Sequence, residues 1–264
     1  MSQLSIDCYT ITELNPGVWN IGDRPTNHPL PTAMVDAYLV TGIQKALLID
    51  AGVSQGDLKK VVEGITSLPV EVLILQGHGD HTGAAMQFDT IYMSPADVDM
   101  VKAMSANFPN NPFDSDKTTP IYPGNVLDLG GRKLEILDMA GHTPGSLVAL
   151  DRENQLLFGS DSVGSGGIWL QIPFTLPLSV FREKLAALID AVSDLPELVL
   201  HSGHRAQNRG PMGMPYLKEL LSLTEDILAG KEIGKPNPMP GFAGNGLVAS
   251  RGQMYSFCYD PKNL

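Results

Sequence analysis

Within the stretch "LILQGHGDHTGA" (residues 73–84), His78, Asp80 and His81 place two imidazoles and a carboxylate in four consecutive positions. Mixed nitrogen and oxygen sets of this kind suit first-row divalent cations. Three more donors each follow an apolar run elsewhere: His142 in "AGHTPGS" (140–146), Asp161 in "LFGSD" and His204 in "LHSGHR". Any one such histidine reads first as a hydrogen-bonded structural residue, because polar groups near a core find partners. Several strand ends carrying donors at once read instead as one metal site, since loops held by a rigid sheet let distant side chains converge.

The positioning elements show in the apolar pattern. Short runs bounded by Gly, Asn and Asp predict strands at 17–22, 37–42, 46–52, 70–75 and 90–94, and again at 133–139, 146–151, 155–160 and 197–203. Helices are expected at 56–67, in a short turn near Gly83–Phe88, and at 95–108 with proline in the first turn. Leu178, Phe181, Leu185, Leu188, Ile189 and Val192 recur at three- and four-residue steps, which gives a helix after Pro177 with one apolar face. Another helix spans 215–230 and stops at glycine. Segments 109–120 and 234–246 are rich in Pro, Gly, Asn or Asp and read as loops, and 247–260 supplies a last strand or hairpin. Strands alternating with helices, with hairpin-like pairs among them, favour an α/β (α+β) fold with helices outside the sheets.

Composition narrows the partners. The chain has 264 residues, 43% hydrophobic and 18% charged, as expected of one packed domain over 1–264. Acidic residues outnumber basic ones 29 to 18, so no overall positive field collects phosphates, and nucleic acid is a poor partner. No uninterrupted apolar segment reaches membrane-spanning length, and the first residues lack the pattern of a secretion signal. A cytoplasmic address follows, and the two distant cysteines, Cys8 and Cys258, suit a reducing compartment. Oligomeric state leaves no mark in the pattern.

The ordered set "HGDH" (78–81), "GHTPGS" (141–146), "FGSD" (158–161) and "SGHR" (202–205), preceded by "LLIDAG" (47–52), resembles the metallo-β-lactamase superfamily of metal hydrolases. The resemblance covers about residues 15–205, with 206–264 completing the sandwich. It implies an αββα sandwich: two mixed sheets face to face, helices outside, and a metal site along one edge. It further implies that His78 and His142 belong to a first metal site, that Asp80, His81 and His204 hold a second, and that Asp161 bridges them. Asp50 resembles the aspartate that supports the metal loop by hydrogen bonds, although a turn carboxylate after a strand reads equally well there.

The family's usual motif is HxHxDH, and Gln76 stands where its first histidine belongs. A glutamine side chain offers a neutral carbonyl oxygen, a weaker ligand than imidazole. The expectation is an asymmetric site with one tight divalent ion and a second held weakly. Zinc is the first choice of metal, and manganese and iron accept the same donors. The implied reaction is hydrolysis by metal-activated water, oriented by Asp80, on a small ester, lactone, thioester or lactam. A rival reading keeps the fold and the metal but loses turnover, leaving a small-molecule binding protein. Trp169, Ile172 and Phe174 in "GSGGIWLQIPFTLP" (164–177) are expected to form an apolar lid over the metal edge, with the 107–113 loop as a second wall. His28, His201 and Arg205 are weaker candidates for substrate contact, each read first as a surface or structural residue.

Overall fold

The computed structural model describes residues 3–6, 8–23, 35–53, 56–105, 113–164, 167–208, 210–237, 246–252 and 255–264. In chain order the first strands are β1 (Gln3–Ile6), β2 (Tyr9–Asn15), β3 (Val18–Asp23), β4 (Val35–Thr41) and β5 (Ala46–Ile49). Helix α1 (Leu58–Ile65) leads to β6 (Val70–Ile74), the single turn α2 (Gly79–Thr82), β7 (Ile91–Met93), α3 (Val98–Ser105) and β8 (Thr119–Pro120). These eight strands form one sheet in sequence order, antiparallel from β1 to β5 and parallel from β5 to β8.

Strands β9 (Val126–Asp128), β10 (Lys133–Asp138), β11 (Leu147–Asp151) and β12 (Leu156–Ser160) come next, then β13 (Ile168–Leu170), α4 (Leu178–Ala191), β14 (Val199–Ser202) and α5 (Met214–Leu228). The second sheet has the order β14-β12-β11-β10-β9, with β14 parallel to β12. The chain closes with β15 (Lys235–Pro236), β16 (Leu247–Arg251) and β17 (Tyr255–Tyr259). With β13 they make a third, small sheet, β13-β17-β16-β15.

Side-chain alternation explains why the central strands read as unbroken apolar runs. In β5, Leu47 and Ile49 enter the core between the two large sheets, while Ala46 and Leu48 face the core beneath α1 and α3. In β11, Leu147 and Ala149 join the first core, while Val148 and Leu150 meet α4 and α5 on the far side. Successive residues point to opposite faces, and helices cover both outer faces, so every position is buried. The layers are helix, sheet, sheet, helix, as the resemblance implies.

Differences from the sequence reading lie at the edges. Strands β1 and β2 extend the first sheet beyond the expected start at residue 17, and Thr119–Pro120, read as loop, pairs with β7 as an edge strand. Proline is tolerated there because an edge strand can leave one side unpaired. The expected 95–108 helix begins as a tighter 3-10 turn at Pro95–Asp97, and its last residues lie outside the described ones. The C-terminal strands build the third sheet and extend neither large one. Ile168 and Leu170, read as part of a lid, are fully buried on β13, which pairs parallel with β17.

Candidate metal centre

The loops at the carboxyl ends of β6, β12 and β14 deliver Asp80 and His81, Asp161, and His204 to one point. One donor atom from each lies within 4.8 Å of all the others. Asp161 Oδ2 is 3.2 Å from His81 Nε2 and 3.4 Å from His204 Nε2, and Asp80 Oδ2 is 3.7 and 3.5 Å from the same two nitrogens. Ligands bound at about 2.0–2.2 Å on the corners of a tetrahedron lie roughly 3.3–3.6 Å from one another. The four distances given are of that size, and the set as a whole is compact enough to hold a single cation. Gly203 makes the convergence sterically feasible, because a Cβ there would stand 2.5 Å from Asp161 Oδ1 and 2.6 Å from His81 Cε1.

The charges show what the cluster wants. Burial disfavours protonation of His81, but Asp161, Asp80 and Asp50 outweigh it and raise the imidazole well above its usual range. His204 is likewise pushed up to about 10 by Asp161 and Asp80 against burial. Burial would raise both Asp80 and Asp161, yet the His81 and His204 charges hold the two carboxyls below their ordinary range. Without a cation, protons on imidazole fill the demand for positive charge. Asp161 Oδ1 is buried with no hydrogen-bond partner, an acceptor left unused beside the cluster.

His78 and His142 form an adjacent pair. His78 Nδ1 is 3.1 Å from His142 Nε2, and His142 Nε2 is 3.8 Å from Asp161 Oδ2. Burial lowers both imidazoles, His78 to about 3, so both are neutral at pH 7. Their outer nitrogens differ. His142 Nδ1 meets the Trp169 carbonyl at 2.7 Å, which fixes its ring, whereas His78 Nε2 is buried without a partner. Gln76 is fully buried and both ends of its amide are engaged: Oε1 accepts from His78 N at 3.3 Å, and Nε2 donates to Asp161 Oδ2 at 3.2 Å. Reversing the amide would set oxygen against oxygen and N–H against N–H, so both ends select this orientation.

Buried aspartates tie these loops to the sheets. Asp50 accepts from Leu75 N at 2.9 Å and Ser160 Oγ at 2.7 Å, and its Oδ2 meets His81 Nδ1 at 2.9 Å. Asp50 (φ 58) and Ser160 (φ 47) both hold left-handed backbones, strain that clusters where geometry is functional. Asp36 accepts from Arg205 N at 2.6 Å, and its own N–H donates to Gly203 O, so it clamps the His204 turn. Asp97 accepts from Gly77 N, Gly145 N and Thr143 Oγ1. Sequence reasoning missed Ser160, Asp36 and Asp97. An acid in the first turn of a helix reads as a partner for the helix dipole, which hid Asp97.

Of the expected wall, Trp169 and Ile172 are half-buried and Phe174 is exposed, on a left-handed backbone (φ 71). The segment is tied to the His142 turn, both by the Trp169 carbonyl and by Leu176 N donating to Gly141 O. His28 and residues 107–112 of the second wall lie outside the described residues. His201 and Arg205 line a separate cavity of about 570 Å³ that none of the four clustered donors touches.

The His201 ring packs 5.3 Å from both Tyr38 and Phe158, and burial with nearby Arg205 lowers it to about 4. An unfolded chain takes up this proton near pH 6.5, before the folded one does, so stability drains as pH falls from 6.5 towards 4. His201→Phe is expected to reduce the stability lost between pH 8 and pH 5 by about 2 kcal/mol. Denaturant unfolding at the two pH values measures this, and an unchanged difference rejects it.

A match to the model described as "Metallo-beta-lactamase superfamily" spans residues 30–204, from before β4 to the last of the four donors. The chain belongs to this superfamily. Among curated relatives, it is 26% identical to the acyl-coenzyme A thioesterase MBLAC2 of Gallus gallus, over 58% of this chain and 67% of that protein. It is 27% identical to the hydroxyacylglutathione hydrolase GloC of Haemophilus influenzae, over 61% of this chain and 80% of that one. A beta-lactamase domain protein from Burkholderia ambifaria shares the fold at a TM-score of 0.63 and 18% identity, covering 83% of this chain and 77% of that one. Family and four-donor cluster together make this superfamily member a metal-dependent hydrolase of small esters, lactones, thioesters or lactams. Among the described residues, no helix is long and apolar enough to cross a membrane.

Proposed function

We propose that this hydrolase cleaves thioesters of small acyl groups in the cytoplasm, working as one domain over residues 1–264. Zinc is its ion, with Asp80, His81, Asp161 and His204 as the tight ligand set and His78 with His142 as a weaker one. The convergence of the four donors, all within 4.8 Å of one another, is the observation that carries this reading. Held by these residues, a divalent cation would lower the pKa of a bound water toward about 7 and would polarise the acyl oxygen.

The chain's own residues set the rest. The Asp80 side chain is 40% exposed against 0% for His81, 12% for Asp161 and 13% for His204, so Asp80 stands at the mouth of the cluster. From there it orients the attacking water and receives its proton. Asp50 holds His81 by its outer nitrogen, and Trp169 O does the same for His142. Exposed Phe174, with Trp169 and Ile172, offers an apolar wall for an acyl chain. Support for a thioester comes from the relatives, whose names specify acyl groups carried on the thiols coenzyme A and glutathione.

One observation favours a second reading. Gln76 supplies no imidazole nitrogen and its Oε1 accepts from His78 N, so a metal-binding protein with weakened turnover shares this geometry. Zinc-loaded protein with quantified metal content, assayed on acetyl-coenzyme A, S-lactoylglutathione, a lactone and nitrocefin, separates the two. The expected result is a kcat/KM on a thioester at least about 10-fold above the lactone and nitrocefin, a difference of about 1.4 kcal/mol. Full zinc occupancy without turnover on any of the four, unrestored by Gln76→His, leaves the binding protein. Preference for the lactone or nitrocefin overturns the thioester assignment.

A further inference from the structure

Asp97 is fully buried, and within hydrogen-bond or ion-pair reach it has no cationic side chain among the described residues. Its carboxylate is instead satisfied by three donors from two loops distant in sequence. Oδ2 accepts from Gly77 N at 2.9 Å and Thr143 Oγ1 at 2.8 Å, and Oδ1 accepts from Gly145 N at 2.6 Å. Gly77 lies between Gln76 and His78, and Thr143 follows His142. The geometry points to Asp97 as a positioning residue for the first-site pair: one carboxylate joins the His78 loop to the His142 loop and sets the 3.1 Å approach of their ring nitrogens.

Packing around the carboxylate supports this. A Cβ on Gly145 would lie 2.8 Å from Asp97 Cγ and Oδ1 and 2.8 Å from Ser94 Oγ, so the His142 turn is pressed directly onto the acid. Thr143 Oγ1 also lies 2.8 Å from Ser146 Oγ, and Ser146 Oγ accepts from Thr143 N, which closes the turn on itself. His78 Nε2 has no partner, so its ring is placed by the Nδ1 contact to His142 and by the backbone that carries it. That backbone is held by Gly77 N on Asp97. Asp36 holds the His204 turn and Asp50 holds His81 together with Leu75 N, whereas the bonds of Asp97 join Gly77 to the His142 turn.

The inference rests on the site reading above, but its test does not require turnover. In Asp97→Asn an amide N–H₂ must face one of the three donors, which breaks at least one bond while keeping the shape. On metal-free protein, proton–nitrogen NMR spectra are expected to show the Gly77 and Gly145 amides and the His78 and His142 imidazoles shifting, with His81 and His204 essentially unmoved. On zinc-loaded protein, kcat on the best substrate of the panel is expected to fall about 10-fold or more with metal content held at wild type, the range typical for groups that orient ligands. Thr143→Val removes one of the three bonds, keeps the fold if Asp97→Asn does not, and is expected to move the same resonances less. His78 and His142 resonances that stay in place while Gly77 and Gly145 move, or equal shifts at all four histidines, overturn the proposal. Absence of turnover in the zinc-loaded wild type, with the resonance pattern of Asp97→Asn as expected, would count against the thioesterase reading and not against this one.

Discussion

Asp161→Asn is expected to lower kcat/KM by at least about 10³-fold, roughly 4 kcal/mol of transition-state stabilisation, and to strip most of the bound metal. The Asp161 side chain reaches both halves of the site. Its Oδ2 stands 3.2 Å from His81 Nε2, 3.4 Å from His204 Nε2 and 3.8 Å from His142 Nε2, and it accepts from Gln76 at 3.2 Å. Asparagine keeps the shape and removes the charge, so two imidazoles arranged to face an anion face a neutral amide. Metal content after gel filtration and steady-state kinetics read the two effects together. Retention of both within tenfold of wild type takes Asp161 out of the ligand set.

Metal removal should have the other large effect. Chelator-treated protein is expected to lose hydrolysis to background and regain it on addition of zinc. It should also melt on the order of 10 °C lower, since an ion at a thousand times its dissociation constant contributes about 4 kcal/mol. The pH dependence has a definite sign. His81 and His204 are raised, so in the metal-free protein both carry protons at pH 7, and an entering ion must displace them. Affinity therefore falls as pH falls, with about two protons released per ion at pH 7. Calorimetric titration in buffers of different ionisation enthalpy counts them. Zero protons released would mean that the cation binds away from these imidazoles.

The donors and the layers were legible because each left a one-dimensional trace. Strands such as Ala46–Ile49 and Leu147–Asp151 are buried on both faces, which writes an unbroken apolar run into the sequence. His78, Asp80, His81, His142, Asp161 and His204 each sit beside such a run, so the sheet predicts their convergence. What stayed hidden depends on partners chosen in three dimensions. Nothing around Gln76 says which end of its amide faces Asp161, and nothing in "SPADVD" says that Asp97 turns inward to meet Gly77 and Gly145. The three residues of β13 were hidden for a related reason: a strand so short has no period, and its partner β17 lies far along the chain.

That last pairing has a consequence for how the protein is made. Among the described residues, Ile168–Leu170 finds its sheet neighbour in Tyr255–Tyr259, and the Trp169 carbonyl that steadies His142 belongs to this strand. During synthesis every candidate ligand therefore leaves the ribosome well before the scaffold for one of them is finished. A nascent chain can collect its helices and both large sheets early, but the strand that seats the His142 ring gains its sheet partner late, by a long-range closure, so competence for chemistry should lag behind compaction.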